Sequence, residues 1–186
     1  MSSTTTTTTT TSTTLELRGG LPTINHDRMN DTLQLSCQWG NTPDGGMSEC
    51  FTLAPIPQGE ELITDRLTLN DDDAKVRRWF ISEVEKLGCK VTVDAIGNIF
   101  AVYPGRTQGP PIAMGSHLDT QPTGGRYDGI LGVLAGLEVL RAIKETGYEP
   151  HHPLAVVCWT DEEGARFLPA MLGSGVWAEH HSLEFG

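Results

Sequence analysis

Apolar residues follow two rhythms along this chain, and the change from one to the other marks out its elements. In three segments they recur every three or four positions, the period of a helix with one buried face. From Asn25 onward, Met29, Leu33 and Cys37 keep this spacing, and Gly40 supplies a stop before the turn-rich Asn41-Thr-Pro-Asp-Gly-Gly46. Val76, Trp79, Phe80, Val84 and Leu87 form one face of a second helix that stops at Gly88. Asp71, Asp72 and Asp73 are read as its caps and acidic first turn, while Lys75, Arg77, Arg78, Glu83 and Lys86 fall on its exposed side. A third helix begins near Asp128, carries Ile130, Val133, Leu134, Leu137, Leu140 and Ile143 on its apolar side, and ends near Gly147.

Elsewhere the apolar runs are short and continuous. Lys90–Val93 and residues 98–102 read as strands joined through Ala95-Ile-Gly97, a hairpin. Residues 111–114 read as a short buried strand leading into Gly115, and Leu154–Trp159 is apolar throughout, as in a strand covered on both faces. Strand, helix, strand implies a right-handed crossover, which makes the two strands parallel and brings their carboxyl ends to one edge of the sheet. The predicted fold class is α/β, a central, largely parallel sheet flanked by helices. Residues 1–20, almost entirely Ser and Thr up to Thr14, are expected to form a disordered tail, because nothing in them can be buried to offset the entropy of ordering. Residues 21–186 are expected to form one folded unit.

Chemistry concentrates at the shared strand edge. The segment Gly115-Ser-His-Leu-Asp-Thr-Gln-Pro-Thr-Gly-Gly-Arg-Tyr-Asp128 sets His117, Asp119 and Asp128 among turn-forming residues, and Asp161, Glu162 and Glu163 follow the second strand. Ligands in open α/β sheets bind in this crevice. Asp119, two residues after His117, can accept a hydrogen bond from the second ring nitrogen and so raise the basicity of a metal-ligating imidazole. Asp128 is placed either to cap the long helix or to bridge two cations. Glu162 and Glu163 diverge as neighbours, so that one can ligate a metal while the other takes a proton from water; spacing does not decide which. His151 and His152 fall at the opposite edge, and His180 and His181 in a solvated terminal stretch.

Charge and cysteines narrow the setting. With 13 basic and 24 acidic residues the net charge is −11, and no basic stripe suits nucleic acid. No apolar run reaches the roughly 20 residues needed to span a bilayer. Cys37, Cys50, Cys89 and Cys158 are widely spaced without a CxxC pair, which fits a reducing, cytoplasmic location better than a disulfide scaffold.

The string from Gly115 to Val133, together with Trp159-Thr-Asp-Glu-Glu-Gly-Ala-Arg-Phe167 and Met171-Leu-Gly-Ser-Gly-Val176, resembles the carbamoyl-amino-acid amidohydrolases. These comprise N-carbamoyl-L-amino acid hydrolase, β-ureidopropionase and allantoate amidohydrolase, within the dinuclear-zinc aminoacylase and carboxypeptidase superfamily. Thr42-Pro-Asp-Gly-Gly46 and Val93-Asp-Ala-Ile-Gly-Asn-Ile-Phe100 extend the likeness. The resemblance implies hydrolysis of a carbamoyl (ureido) C–N bond to an amino acid, ammonia and carbon dioxide. It implies two divalent ions, zinc first, with manganese, cobalt or nickel able to use the same ligands. His117 and Glu163 would each ligate one metal and Asp128 would bridge. Glu162 would be the general base, Asp119 would orient His117, and Gln121 would touch substrate. A cis peptide at Asp128-Gly129 is also implied.

Members of that family run to more than twice this length, and the remainder carries further histidine ligands and a lid and dimerisation domain through which they form homodimers. The chain is therefore expected to be the N-terminal, truncated part of a catalytic domain, with little activity alone, an unpaired strand edge and exposed apolar surface. Two other readings share parts of the pattern: a peptidase or aminoacylase of the same superfamily, and a non-catalytic fragment.

Overall fold

A computed structural model describes residues 21–40 and 65–186; the Ser/Thr-rich tail, the turn-rich 41–46 segment and Cys50 lie outside the described residues. The elements run α1 (His26–Ser36), α2 (Asp71–Leu87), β1 (Lys90–Val93), β2 (Ile99–Tyr103), β3 (Ile112–His117), α3 (Ile130–Thr146), β4 (Leu154–Trp159) and α4 (Leu172–Trp177). All three helices read from the sequence are present. The caps differ in detail: α2 is capped by Asn70, whose side chain accepts from the Asp73 amide, while the three aspartates occupy the first turn and favour the positive end of the helix dipole. The short α4 has no apolar period long enough to announce it.

The four strands are ordered β1-β2-β4-β3. The hairpin β1–β2 is antiparallel, as expected, and β2 also runs antiparallel to β4. Only β3 and β4, joined through α3, are parallel. The sheet is therefore mixed rather than largely parallel, because the tight hairpin turn fixes the direction of β2 and only a crossover can produce a parallel pair. β3 continues three residues past its expected end, pairing His117 with Trp159, and it is an edge strand among the described residues. It is not the buried strand expected: its Ile112 is 62% exposed.

Alternation along the strands sends Ile99, Ala101, Val156 and Cys158 to one face. There they join Val76, Phe80 and Val84 of α2, Val133, Leu134, Leu137 and Leu140 of α3, and Leu33 of α1 in a single core. On the other face Phe100 and Trp159 meet edge to face at 5.9 Å, and Trp177 of α4 lies 5.4 Å from Trp159. The buried side chain of Asn98 ties these parts together. Its amide donates to Asp94 and to the Gly173 carbonyl, and its oxygen accepts from Thr160 N–H. This fixes the chain as it leaves β4 for the acidic segment.

Ionic contacts tie both α1 and α2 to α3. Arg28 forms a fork with Glu138, which is 1% exposed, and also pairs with Glu145; Arg141 pairs with Glu83 and Glu138. Burial alone would raise the Glu138 carboxyl. The Arg28 hydrogen bond, the Asn25 N–H and the two guanidinium charges outweigh it and hold the group below its ordinary value.

Candidate metal centre

Because β3 and β4 run parallel with His117 opposite Trp159, the residues leaving both strands emerge at the same edge. His117 is 4% exposed. Its Nδ1 lies 2.8 Å from the main-chain oxygen of Asp119, and a carbonyl can only accept, so Nδ1 carries the proton. In the neutral ring Nε2 is then the nitrogen that carries the lone pair, and it faces Glu162 Oε2 at 3.2 Å and Asp128 Oδ1 at 3.9 Å. Asp119 thus meets the ring through its backbone, not through the carboxylate expected to accept from the second ring nitrogen. Its carboxylate stands 3.7 Å from Nδ1 and instead accepts from the Glu163 amide at 3.3 Å, leaving Oδ1 buried without a hydrogen bond.

Asp128 reaches the site through a tight turn centred on Gly129. The Ile130 amide donates to the Asp128 carbonyl at 2.6 Å, and Gly129 has φ 66° and ψ −57°, the geometry of a γ-turn closed by an i to i+2 bond. A Cβ on Gly129 would lie 2.2 to 2.4 Å from the imidazole of His117, so glycine is needed both for the turn and for the close approach. The expected cis peptide at Asp128-Gly129 is not present; the chain reverses through the positive φ of Gly129, and the cis bond among the described residues is Leu168-Pro169. Nor does Asp128 cap α3. Gly129 holds the cap position with no side-chain bond, and the Asp128 carboxylate is 74% exposed and turned towards His117.

His117, Asp128 and Glu163 each offer a ligand atom, and these atoms lie within 4.8 Å of one another. Gln121, expected to touch substrate, donates to Glu163 Oε2 at 2.8 Å and so steadies that carboxylate. Among the described residues, none of Asp119, Asp128, Glu162 or Glu163 forms an ion pair with Lys or Arg; their charges face one imidazole. Uncompensated anionic groups around one imidazole fit a divalent cation. Burial raises the Glu162 carboxyl, with His117 opposing and Glu163, Asp119 and Asp128 adding to the rise. Asp161, in a left-handed conformation with φ 54°, lacks a well-formed hydrogen bond to its carboxylate. Burial and then the charge of Asp119 push it up to about 6.

The other histidines stay away from this group. His151 and His152 are exposed at the start of β4, and His181 stacks on Phe185 with ring centres 4.9 Å apart. What sequence reasoning missed is the frame behind the candidate ligands: Arg66, Thr68, Asn98 and Thr160 are all buried. Isolated polar residues have no period, so only tertiary structure reveals them.

Known proteins similar to this chain point one way. Residues 113–185 match the model of peptidase family M20/M25/M40. The chain is 43% identical over 163 residues to N-carbamoyl-L-amino-acid amidohydrolase of Rhizobium meliloti, covering 87% of this chain and 35% of that protein. It is 37% identical to ureidoglycolate hydrolase of Oryza sativa subsp. japonica, covering 72% of this chain and 27% of the relative. A crystal structure of a hydantoinase/carbamoylase family amidase from Burkholderia multivorans superposes with a TM-score of 0.78 at 42% identity, covering 89% of this chain and 36% of that one. The chain spans about a third of the length of these proteins. Residues 113–185 thus carry a peptidase family M20/M25/M40 segment, and over most of its length the chain is similar to the carbamoyl-amino-acid amidohydrolases.

Proposed function

We propose that this chain supplies metal ligands and a general base for hydrolysis of the carbamoyl C–N bond of an N-carbamoyl amino acid, giving the amino acid, ammonia and carbon dioxide. The observation that carries this reading is the His117–Asp119 main-chain hydrogen bond, which leaves Nε2 bare towards Asp128 and Glu163. His117, Asp128 and Glu163 hold divalent metal, zinc first and manganese, cobalt or nickel as substitutes. When bound, such ions supply Lewis acidity and lower the pKa of water. Asp128, the most exposed of the three carboxylates facing His117, is the one placed to bridge a pair. The described residues give three ligand atoms, enough for one cation with open positions; a pair needs further donors.

Glu162 accepts the proton of the attacking water. Its Oε2 lies 3.2 Å from His117 Nε2, the nitrogen that would ligate a metal, and it is not held by Lys or Arg. Asp119 keeps Nδ1 protonated through its carbonyl, and Gln121 holds Glu163 in place before any contact with substrate. The names of the relatives favour a ureido substrate over a peptide. In the whole protein the partner is a second copy of the chain, and a reducing cytoplasm suits the free Cys37, Cys89 and Cys158.

The test combines zinc content with hydrolysis by the metal-loaded whole protein, since this chain by itself is expected to have little activity. Glu162→Gln should keep wild-type metal content and lose roughly 100-fold or more of the rate on carbamoyl-amino acids. Glu163→Ala and His117→Ala should lose metal as well. Zinc bound by the wild type with turnover of dipeptides or acyl-amino acids, but of no ureido compound, would overturn the substrate assignment.

A further inference from the structure

We infer that Arg66 is a positioning residue of the metal centre, clamping from behind the two peptide groups that set the orientation of His117. Its residue is 1% exposed, yet it carries a guanidinium. Nε donates to the Leu118 carbonyl at 2.6 Å, which fixes the peptide between Leu118 and Asp119. The next peptide, between Asp119 and Thr120, is the one whose carbonyl accepts from His117 Nδ1. Its N–H donates to the Arg66 carbonyl at 2.8 Å. The Arg66 amide closes the set by donating to Thr120 Oγ1 at 3.0 Å. The group that chooses the tautomer of the ligand is thus held at its far end by one residue.

The other side of the guanidinium explains why arginine occupies the position. Nη1 donates to the carbonyls of Ser36 at 3.2 Å and Trp39 at 2.8 Å, at the end of α1. A planar fork can bridge the Leu118 carbonyl and these two at fixed distances, whereas the single ammonium of lysine cannot. The charge is offset by the nearby carboxylates of Asp73 and Asp119. Burying a guanidinium among carbonyls costs desolvation that a well-packed apolar side chain would avoid, so its use here points to placement rather than to stability.

This inference rests on the metal-site reading above, and the experiment separates the two. Cobalt(II) is titrated into the 186-residue chain, and its d–d absorption reports both affinity and ligand geometry. In Arg66→Lys, cobalt affinity should fall about 10- to 100-fold, as when other partners that orient a ligand are removed, and the absorption bands should shift. Val84→Ala, a remote core truncation, serves as a control for loss of stability and should leave both readings unchanged. If the wild type gives no cobalt spectrum, the metal reading fails and this inference falls with it. If the wild type binds and folded Arg66→Lys matches it in affinity and bands, or if Val84→Ala weakens cobalt as much, Arg66 is only structural and the inference alone is overturned. Should Arg66→Lys not fold, Thr120→Val decides. It removes the hydroxyl that accepts from Arg66, and a weakened, shifted cobalt spectrum supports the clamp while an unchanged one refutes it.

Discussion

Replacing Gly129 by alanine tests the geometry of the centre most directly. The new Cβ would sit 2.2 Å from His117 Cε1 and 2.3 Å from Nε2. Carbon contacts relax only near ~3.5 Å, so the ring or the turn must yield by more than about 1 Å. Holding a residue other than glycine in this turn costs about 1–3 kcal/mol. Forcing a methyl group into a filled space costs about 1–3 kcal/mol more. A loss of roughly 2–6 kcal/mol is therefore expected, a large part of the ~5–15 kcal/mol that holds a typical domain together. Gly147→Ala provides the control, because Gly147 also has a positive φ, 65°, but nothing lies within 4 Å of its would-be Cβ. That change should cost only about 1–2 kcal/mol. Urea unfolding followed by far-UV circular dichroism in the presence of chelator gives both values, and zinc titration of the folded variants gives the second readout. Gly129→Ala should also bind zinc at least about tenfold more weakly, since the displaced ring loses its aim. If the two variants unfold within about 0.5 kcal/mol of each other and bind zinc alike, the packing of Gly129 against His117 described above is wrong.

Two further outcomes follow from burial and charge. Glu138 has its pKa held below the unfolded value, so its contribution is fully present above the unfolded pKa of about 4.3 and is lost as pH falls through the folded value. Unfolding free energies measured from pH 7 to pH 3 should therefore fall less steeply for Glu138→Gln than for the wild type; parallel curves would remove the ion network from the account of α1 docking. Burial pushes the thiol of Cys158 up to about 12 and that of Cys89 up to about 11, and Cys37 is raised as well. Iodoacetamide labelling read by mass spectrometry should leave these three unmodified in native protein at pH 8 and modify them after denaturation. Rapid native labelling of Cys158 would contradict its burial in β4.

The helices were legible because their apolar periods are long: five positions of α2 and six of α3 point one way, and their stops at Gly88 and Gly147 are where the structure ends them. The crossover was legible too, since an apolar strand on each side of a long helix leaves little choice of topology. That was enough to bring His117, Asp128 and Glu163 to one edge. The direction of β2 against β4 was not legible, because short apolar runs carry no sign of their neighbour. Nor was the manner in which ligands are held. Asp119 looked like an orienting carboxylate and acts through its carbonyl, a role any residue could fill by sequence alone. Asp128 could be read as a helix cap or as a metal-facing carboxylate, and only the turn at Gly129 shows its side chain turned towards His117. Arg66 gave no signal, since a single buried guanidinium surrounded by carbonyls has neither period nor motif.

The parallel pairing of β3 with β4 has a consequence for how the chain reaches its fold. His117 and Glu163 lie at opposite ends of the strand–helix–strand crossover, so their ligand atoms meet only once that long, non-local loop has closed. A cation held between them, as proposed above, would staple this non-local contact and bind the closed state in preference to the open one. At a concentration 100 times its dissociation constant it would add about 2.7 kcal/mol to stability. If the proposed site binds metal, metal supply would then bear on how much folded chain accumulates, quite apart from any role in catalysis.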